Sequence, residues 1–173
     1  MLALLGGTDW RWSLSVASIA SAAGGLLCLF TALGPFHARA SRIHIRAILT
    51  AWTNPKIRYA YAGYLGHMWE LYAMWAWIGV ALTVSFSTRM APETAIPLSR
   101  LIAFLTIAAG GVASVLAGFV ADRVGKANIA ILAMAVSGTA ALASALTFGG
   151  PAWLTIFCVL VWGAAILPDS GQF

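Results

Sequence analysis

Long apolar runs, separated by short polar or turn-forming stretches, make up most of this 173-residue chain. A helix of about 20 apolar residues crosses the hydrocarbon core of a bilayer. Runs of that length lie at about 12–33, 57–86, 100–120, 128–148 and 152–173. Transmembrane β-strands would instead alternate in segments of roughly 10 residues. The pattern therefore predicts an all-α polytopic helical membrane protein with five spans, preceded at 1–5 by the tail of another helix.

Turn-forming residues mark the ends of these runs. Gly34 and Pro35 end the first run. Asn54 and Pro55 supply a side-chain cap and a first-turn proline for the next helix. The remaining breaks are predicted as loops at about 87–99 and 121–127 and as a tight turn at 149–151.

Two kinds of small residue inside the runs predict packing. Gly110, Ser114 and Gly118 recur every four residues, so we expect another helix to pack closely along that stripe. Cys28 and Cys158 lie far apart in apolar runs and lack metal-ligand spacing. We interpret both as small core residues, since free cysteine is among the most buried residue types.

The composition excludes a soluble domain. Hydrophobic residues make up 61% of the chain and charged residues 9%, and the mean hydropathy is +0.89. A soluble domain carries about 25% charged residues. The net charge of +5 does not indicate nucleic-acid binding, because half of the ten basic residues fall in one loop, at Arg39, Arg42, Arg46, Lys56 and Arg58.

This basic loop, residues 34–58, sets the predicted orientation. Lysine and arginine are enriched in cytoplasmic loops, so we place it in the cytoplasm, and the alternation of spans puts 121–127 on the same side. Within it, 37–53 carries its arginines on one helical face. An amphipathic helix on the membrane surface and an ordinary linker are both open interpretations of that segment.

Glu70 interrupts the otherwise apolar and aromatic run 57–86 near its middle. A carboxylate at mid-bilayer costs roughly 2.5 kcal/mol or more, so we expect Glu70 to face other helices or a wet cavity. His67 shares its helical face, which Met74 and Trp77 extend. Proton coupling is one interpretation, because a low-dielectric site favours the neutral carboxyl group. Contact with a polar or cationic solute is another, and a structural hydrogen bond to His67 or a neighbouring helix is the third.

Other polar and aromatic positions carry weaker indications. Tyr64 belongs to an aromatic stripe, with Tyr61, Tyr72 and Trp75, that either lines a cavity for an organic solute or packs against other helices. Asp169 and Gln172 either line a cytoplasmic vestibule or cap the end of the last span. None of these candidates is predicted to bind a metal.

The stretch from Gly118 to Lys126 has the pattern G-x-x-x-D-R-x-G-K, with Asp122, Arg123 and Gly125 at its fixed positions. It resembles the cytoplasmic signature loop of the major facilitator superfamily of secondary transporters. The resemblance implies a gating role for this loop. From the residue chemistry, Asp122 suits a facing helix N-terminus and Gly125 permits a tight turn.

The whole chain resembles the end of helix five through helix ten of this superfamily, including bacterial members. The resemblance implies that 1–33 is the end of one helix and a full helix of the N-terminal half. It implies that 34–58 is the basic loop between halves and that 59–173 is a partial C-terminal half of four helices. The chain is then an incomplete transporter whose missing helices are partners, in a bacterial inner (plasma) membrane.

The predicted function is secondary active transport of a small solute by alternating access, with a proton as one candidate coupling ion. The predicted partners are the lipid bilayer and the solute, without nucleic acid. We expect no enzymatic activity and no cofactor, since polar residues are too few to build a catalytic site. The alternative is a non-transporting membrane fragment or helper subunit.

Overall fold

The structure, a computed structural model, describes residues 10–30 and 52–168. The regular elements of these ranges are helical, which confirms the all-α prediction for the described part of the chain. Five helices lie wholly within them: α1 (Trp10–Cys28), α2 (Pro55–Ser87), α3 (Pro92–Val124), α4 (Lys126–Thr147) and α5 (Ala152–Ile166). Most of the basic segment 34–58, including nearly all of 37–53, lies outside the described residues.

Two of the described helices, α3 and α4, are long and apolar enough to cross a membrane, judged by length and composition. The apolar stretches Leu14–Cys28 and Ala152–Ile166 are shorter. The number of crossings predicted from the sequence, five, therefore stays a prediction.

The helix ends follow the local chemistry of the sequence. The Asn54 side chain accepts a hydrogen bond from the Lys56 backbone N–H at 3.0 Å, and Pro55 opens α2 as predicted. Gly125 separates α3 from α4 with φ of 97°, a conformation that costs glycine little because it has no Cβ. Its N–H donates to the Ala121 carbonyl at 2.9 Å, so the turn ends α3 and starts α4 directly.

The loops predicted at 87–99 and 121–127 are much shorter in the structure. Helix α3 already begins at Pro92 and passes through Pro97, so most of the segment predicted as a loop at 87–99 is helical. Proline at Pro97 removes one backbone donor, but Ala95 and Ser99 on the same turns are 0% exposed. The Ser99 hydroxyl also lies 2.7 Å from that of Thr83 in α2, so contacts with α2 hold this part of α3.

The core lies along one face of α2, where it meets α3 and α5. Leu71, Met74, Ile78, Leu82 and Phe86 recur at helical spacing and are all buried. They pack with Ile102 of α3 and with Val159 and Ile166 of α5. Helix α5 also contacts α3 and α4 extensively, so α2, α3 and α4 all pack against it.

Helices α3 and α5 cross at two glycines. A Cβ added to Gly110 would overlap the Gly163 carbonyl oxygen, and one added to Gly163 would overlap the Thr106 carbonyl oxygen. The expected close packing is thus confirmed at Gly110. At Gly118, the other end of the predicted stripe, no described atom lies within 4 Å of an added Cβ.

A polar clasp joins the end of α2 to the turn between α4 and α5. The Gly149 N–H donates to the Ser85 hydroxyl oxygen at 2.8 Å. The Arg89 Nε donates to the Gly149 carbonyl at 3.0 Å. Together with φ of 77° at Gly149, these bonds fix the turn against α2.

The crossing at Gly110 predicts a clear asymmetry between two adjacent glycines. Gly110→Ala should lower the free energy of unfolding by about 1–3 kcal/mol, because the new methyl group meets backbone that cannot rotate away. Gly111→Ala, one position along and with open space around its Cβ, should be neutral or slightly stabilising. Reversible unfolding in detergent micelles, followed by circular dichroism, measures both; equal effects would contradict the close crossing.

Candidate functional site

The Glu70 carboxylate lies where α2, α4 and α5 meet. The Trp162 Nε1 of α5 donates to Glu70 Oε1 at 2.8 Å. The Ser137 hydroxyl of α4 lies 3.4 Å from Glu70 Oε2. Glu70 is itself half-buried. The expectation that it faces other helices is confirmed, and the hydrogen bond to a neighbouring helix exists.

The two donors hold the carboxylate unequally. A distance of 2.8 Å is typical of a hydrogen bond to a charged acceptor, so the indole N–H is the main anchor. Ser137 has a single hydroxyl proton, and its oxygen lies 3.3 Å from the Met134 carbonyl as well. That proton is shared between two distant acceptors, and the Ser137 bond is therefore weak.

His67 lies one turn before Glu70 and is 3% exposed. Its ring centroid is 6.4 Å from that of Tyr64, with the two planes tilted by 39°. Tyr64 is 41% exposed and sits at the edge of this inward face. The structure therefore brings the predicted residues Tyr64, His67 and Glu70 together on one side of α2.

A small cavity shares one residue, Trp162, with the Glu70 site, although Glu70 itself does not line it. It has a volume of about 260 Å³ and lies between α2, α4 and α5. Its walls include Met74 and Trp77 of α2, Ser144 and Phe148 near the end of α4, and Trp162 of α5. Trp162 thus lines the cavity with its ring and donates its N–H to Glu70, so the two features share a wall.

Sequence reasoning missed Trp162 and Ser137. A tryptophan in an apolar run carries one N–H that seeks an acceptor when buried. Glu70 is the only acidic residue inside the predicted spans 12–33, 57–86, 100–120 and 128–148. Several tryptophans of the predicted spans carry such a donor, so this signal did not single out Trp162. Ser137 gave a weaker one, since serine hydroxyls in apolar helices are commonly satisfied by their own backbone.

The signature-loop residues form a separate group at the junction of α3 and α4. Asp122, Arg123 and Lys126 are exposed. The Asn128 side chain donates to the Val124 carbonyl at 2.9 Å, across the turn. Ser137 lies eleven residues beyond Lys126, about 16 Å along α4, so this group is distant from the carboxylate.

The other predicted positions have mixed outcomes. Asp169 and Gln172 lie outside the described residues. Tyr72 and Trp75 make an edge-to-face pair at 6.0 Å, and both are exposed.

Cys158 is buried as predicted, but Cys28 is exposed, so its interpretation as a core residue was wrong. The described side chains of α1 are all exposed. Periodicity alone therefore does not show which apolar helices pack against other helices.

No group of three potential metal ligands occurs among the residues that the structure describes. A scan against models of known protein families finds no match for the chain, and searches of curated proteins and of solved structures find no significant match.

The Trp162–Glu70 bond predicts a difference between two tryptophans of the same helix. Trp162→Phe keeps an aromatic ring but removes the N–H, and should lower the free energy of unfolding by about 1–2 kcal/mol. Trp153→Phe is the matched control, because Trp153 is 70% exposed, and its effect should stay within about 0.5 kcal/mol. Chemical unfolding in micelles measures both variants; a silent Trp162→Phe would show that the bond contributes nothing.

Proposed function

We propose that the chain forms part of an integral membrane transporter of the major facilitator type, which moves a small solute by secondary active transport. Glu70 is the group that binds the proton or the solute. The observation that carries the proposal is the position of the Glu70 carboxylate, half-buried between three helices and bonded to Trp162 at 2.8 Å. The proposal takes α2, the helix of Glu70, as a membrane span, and an ionisable residue inside a span is a functional candidate by default.

The hydrogen bond from Trp162 would couple the protonation state of Glu70 to the position of α5. A carboxylate only accepts hydrogen bonds, whereas a protonated carboxyl group carries an O–H of its own. A proton on Oε2 leaves Oε1 as a neutral acceptor, and the Trp162 N–H bonds less strongly to a neutral oxygen than to a carboxylate. Protonation or capture of a cationic solute would therefore weaken the bond between α2 and α5, which links occupancy to helix movement.

The cavity that shares Trp162 with the Glu70 site supports a solute site. Two tryptophan rings, Trp77 and Trp162, and the Met74 side chain give it apolar walls. Ionised Glu70 can accept about four hydrogen bonds. In the described part of the chain, Trp162 and Ser137 donate two, one to each carboxylate oxygen. The remaining positions are free to take a proton or a polar group of a solute whose apolar part fills the cavity.

The loop between α3 and α4 supports the family assignment within the proposal. The resemblance at Gly118, Asp122, Arg123, Gly125 and Lys126 is joined by a turn conformation at Gly125 that suits glycine. The exposed charges of this turn are available to helices outside the described residues. The proposal includes a bacterial inner membrane, a cytoplasmic position for 34–58, and further helices that complete the transporter.

The alternative is a membrane protein that does not transport, such as a fragment or a helper subunit. The hydrogen bonds of Glu70 favour it, because they give the carboxylate a structural task without any solute. Large exposed side chains on α2, such as Trp69 at 77%, are available to another membrane helix under either hypothesis.

Glu70→Gln separates the two roles of the carboxylate. Glutamine keeps an oxygen that accepts the Trp162 N–H, so the unfolding free energy should change by less than about 1 kcal/mol. It cannot take up a proton, so gradient-driven transport by the complete transporter should fall at least tenfold. Glu93→Gln, at an exposed position in the first turn of α3, is the control and should transport normally. Unchanged pH-dependent transport in Glu70→Gln would remove Glu70 from the mechanism.

Reconstitution of the 173-residue chain alone distinguishes the alternatives further. In vesicles with an imposed proton gradient, the proposal expects no saturable solute flux, since a site of this type needs two sets of helices around it. Flux should appear when the remaining helices are co-expressed. Saturable flux from the purified chain by itself would contradict the view that further helices are required.

A further inference from the structure

A groove between α2 and α3, on another side of α2 from the cavity that Trp162 lines, combines apolar walls with a single cation. It has a volume of about 470 Å³. Trp75, Val80, Phe104 and Ile107 give it exposed apolar surface. Arg100 lines the same groove and is exposed.

The polar groups beside Arg100 are already used by the protein. The Thr83 hydroxyl lies 2.8 Å from the Gly79 carbonyl, and the Ser99 hydroxyl lies 2.8 Å from the Ile96 carbonyl. The two hydroxyl oxygens are 2.7 Å apart. Their protons are therefore committed to carbonyls or to each other. Within 10–30 and 52–168, no carboxylate forms an ion pair with Arg100, so its five N–H donors remain available to an anion.

The position of Arg100 along α3 matches the depth of lipid headgroups. Helix α3 has 33 residues and is about 50 Å long, whereas the hydrocarbon core is about 30 Å thick. About 10 Å at each end of a centred α3 therefore lies outside the core. Arg100 is eight residues after Pro92, about 12 Å from the start of the helix. Its long side chain reaches the boundary while its methylene groups stay against apolar surface.

From this arrangement we infer that the groove is a site for an anionic membrane lipid. The lipid phosphate pairs with the Arg100 guanidinium, which matches phosphate geometry with two parallel N–H donors. One acyl chain lies along Phe104 and Ile107, which follow Arg100 toward the middle of α3, and along Trp75 of α2. Charge complementarity selects an anionic headgroup, and the open apolar groove selects an acyl chain. This site rests on the proposed membrane location and is independent of transport.

Quenching of tryptophan fluorescence by brominated lipids tests the site. The purified chain is reconstituted in phosphatidylcholine vesicles that contain a fixed fraction of lipid with brominated acyl chains. The brominated lipid carries either a phosphatidylglycerol or a phosphatidylcholine headgroup. The difference between the wild-type chain and Trp75→Phe isolates the quenching of Trp75. A basic residue near the surface favours anionic lipid by about fivefold, so brominated phosphatidylglycerol should associate about fivefold more tightly at Trp75.

Two arginines of the same helix provide the matched comparison. Arg100→Gln should reduce the fivefold preference to about one, and Arg100→Lys should retain most of it. Arg123→Gln, an exposed cation near the other end of α3, should leave the preference at Trp75 unchanged. Circular dichroism on each variant checks that helix content is retained.

Three results would overturn the inference. Equal quenching by the two headgroups in the wild-type chain would show that Arg100 selects no lipid. A preference that survives in Arg100→Gln would assign it to other cations. Quenching that is independent of headgroup and falls as the protein-to-lipid ratio rises would show that a second copy of the chain occupies the groove.

Discussion

A carboxylate among apolar helices needs hydrogen-bond donors, and the rest of this structure is arranged so that Glu70 has them. An uncompensated charge in an apolar environment costs several kcal/mol. The indole N–H of Trp162 meets that need at 2.8 Å. The bond joins α2 to α5 through two residues that are 92 positions apart in sequence, and so ties the middle of the chain to its last described helix.

The close crossing of α3 and α5 makes this bond possible. Because Gly163 has no side chain, α5 comes so close to α3 that the Thr106 carbonyl oxygen would overlap a Cβ at that position. Trp162 is its immediate neighbour, so the same turn of α5 that packs on α3 directs an indole toward α2. The core formed by Met74 and Ile78 of α2 with Val159 of α5 holds the helices at this separation. Backbone contact, apolar packing and the Glu70 bond thus depend on one short stretch of α5.

The sequence predicted the parts that depend on local chemistry. Apolar periodicity predicted helices, Asn54 and Pro55 predicted a helix start, and the cost of a charge predicted that Glu70 would face its neighbours. Contacts between distant elements were not predictable from pattern, so Trp162 and Ser137 were missed. The helix through Pro97 was missed for the same reason, because Ala95 and Ser99 beside it are buried by contacts that the sequence pattern does not show. The transport function and the gating loop stay predictions.

The central claim is that these helices are stable in lipid, where apolar side chains such as Leu142 (78% exposed) and Leu146 (87% exposed) need no protein cover. The most direct measurement is size-exclusion chromatography with circular dichroism on the purified chain, in detergent and after detergent removal. The account predicts a monodisperse helical protein in micelles that aggregates once the detergent is gone. A monomeric, folded and helical chain in detergent-free buffer would contradict it.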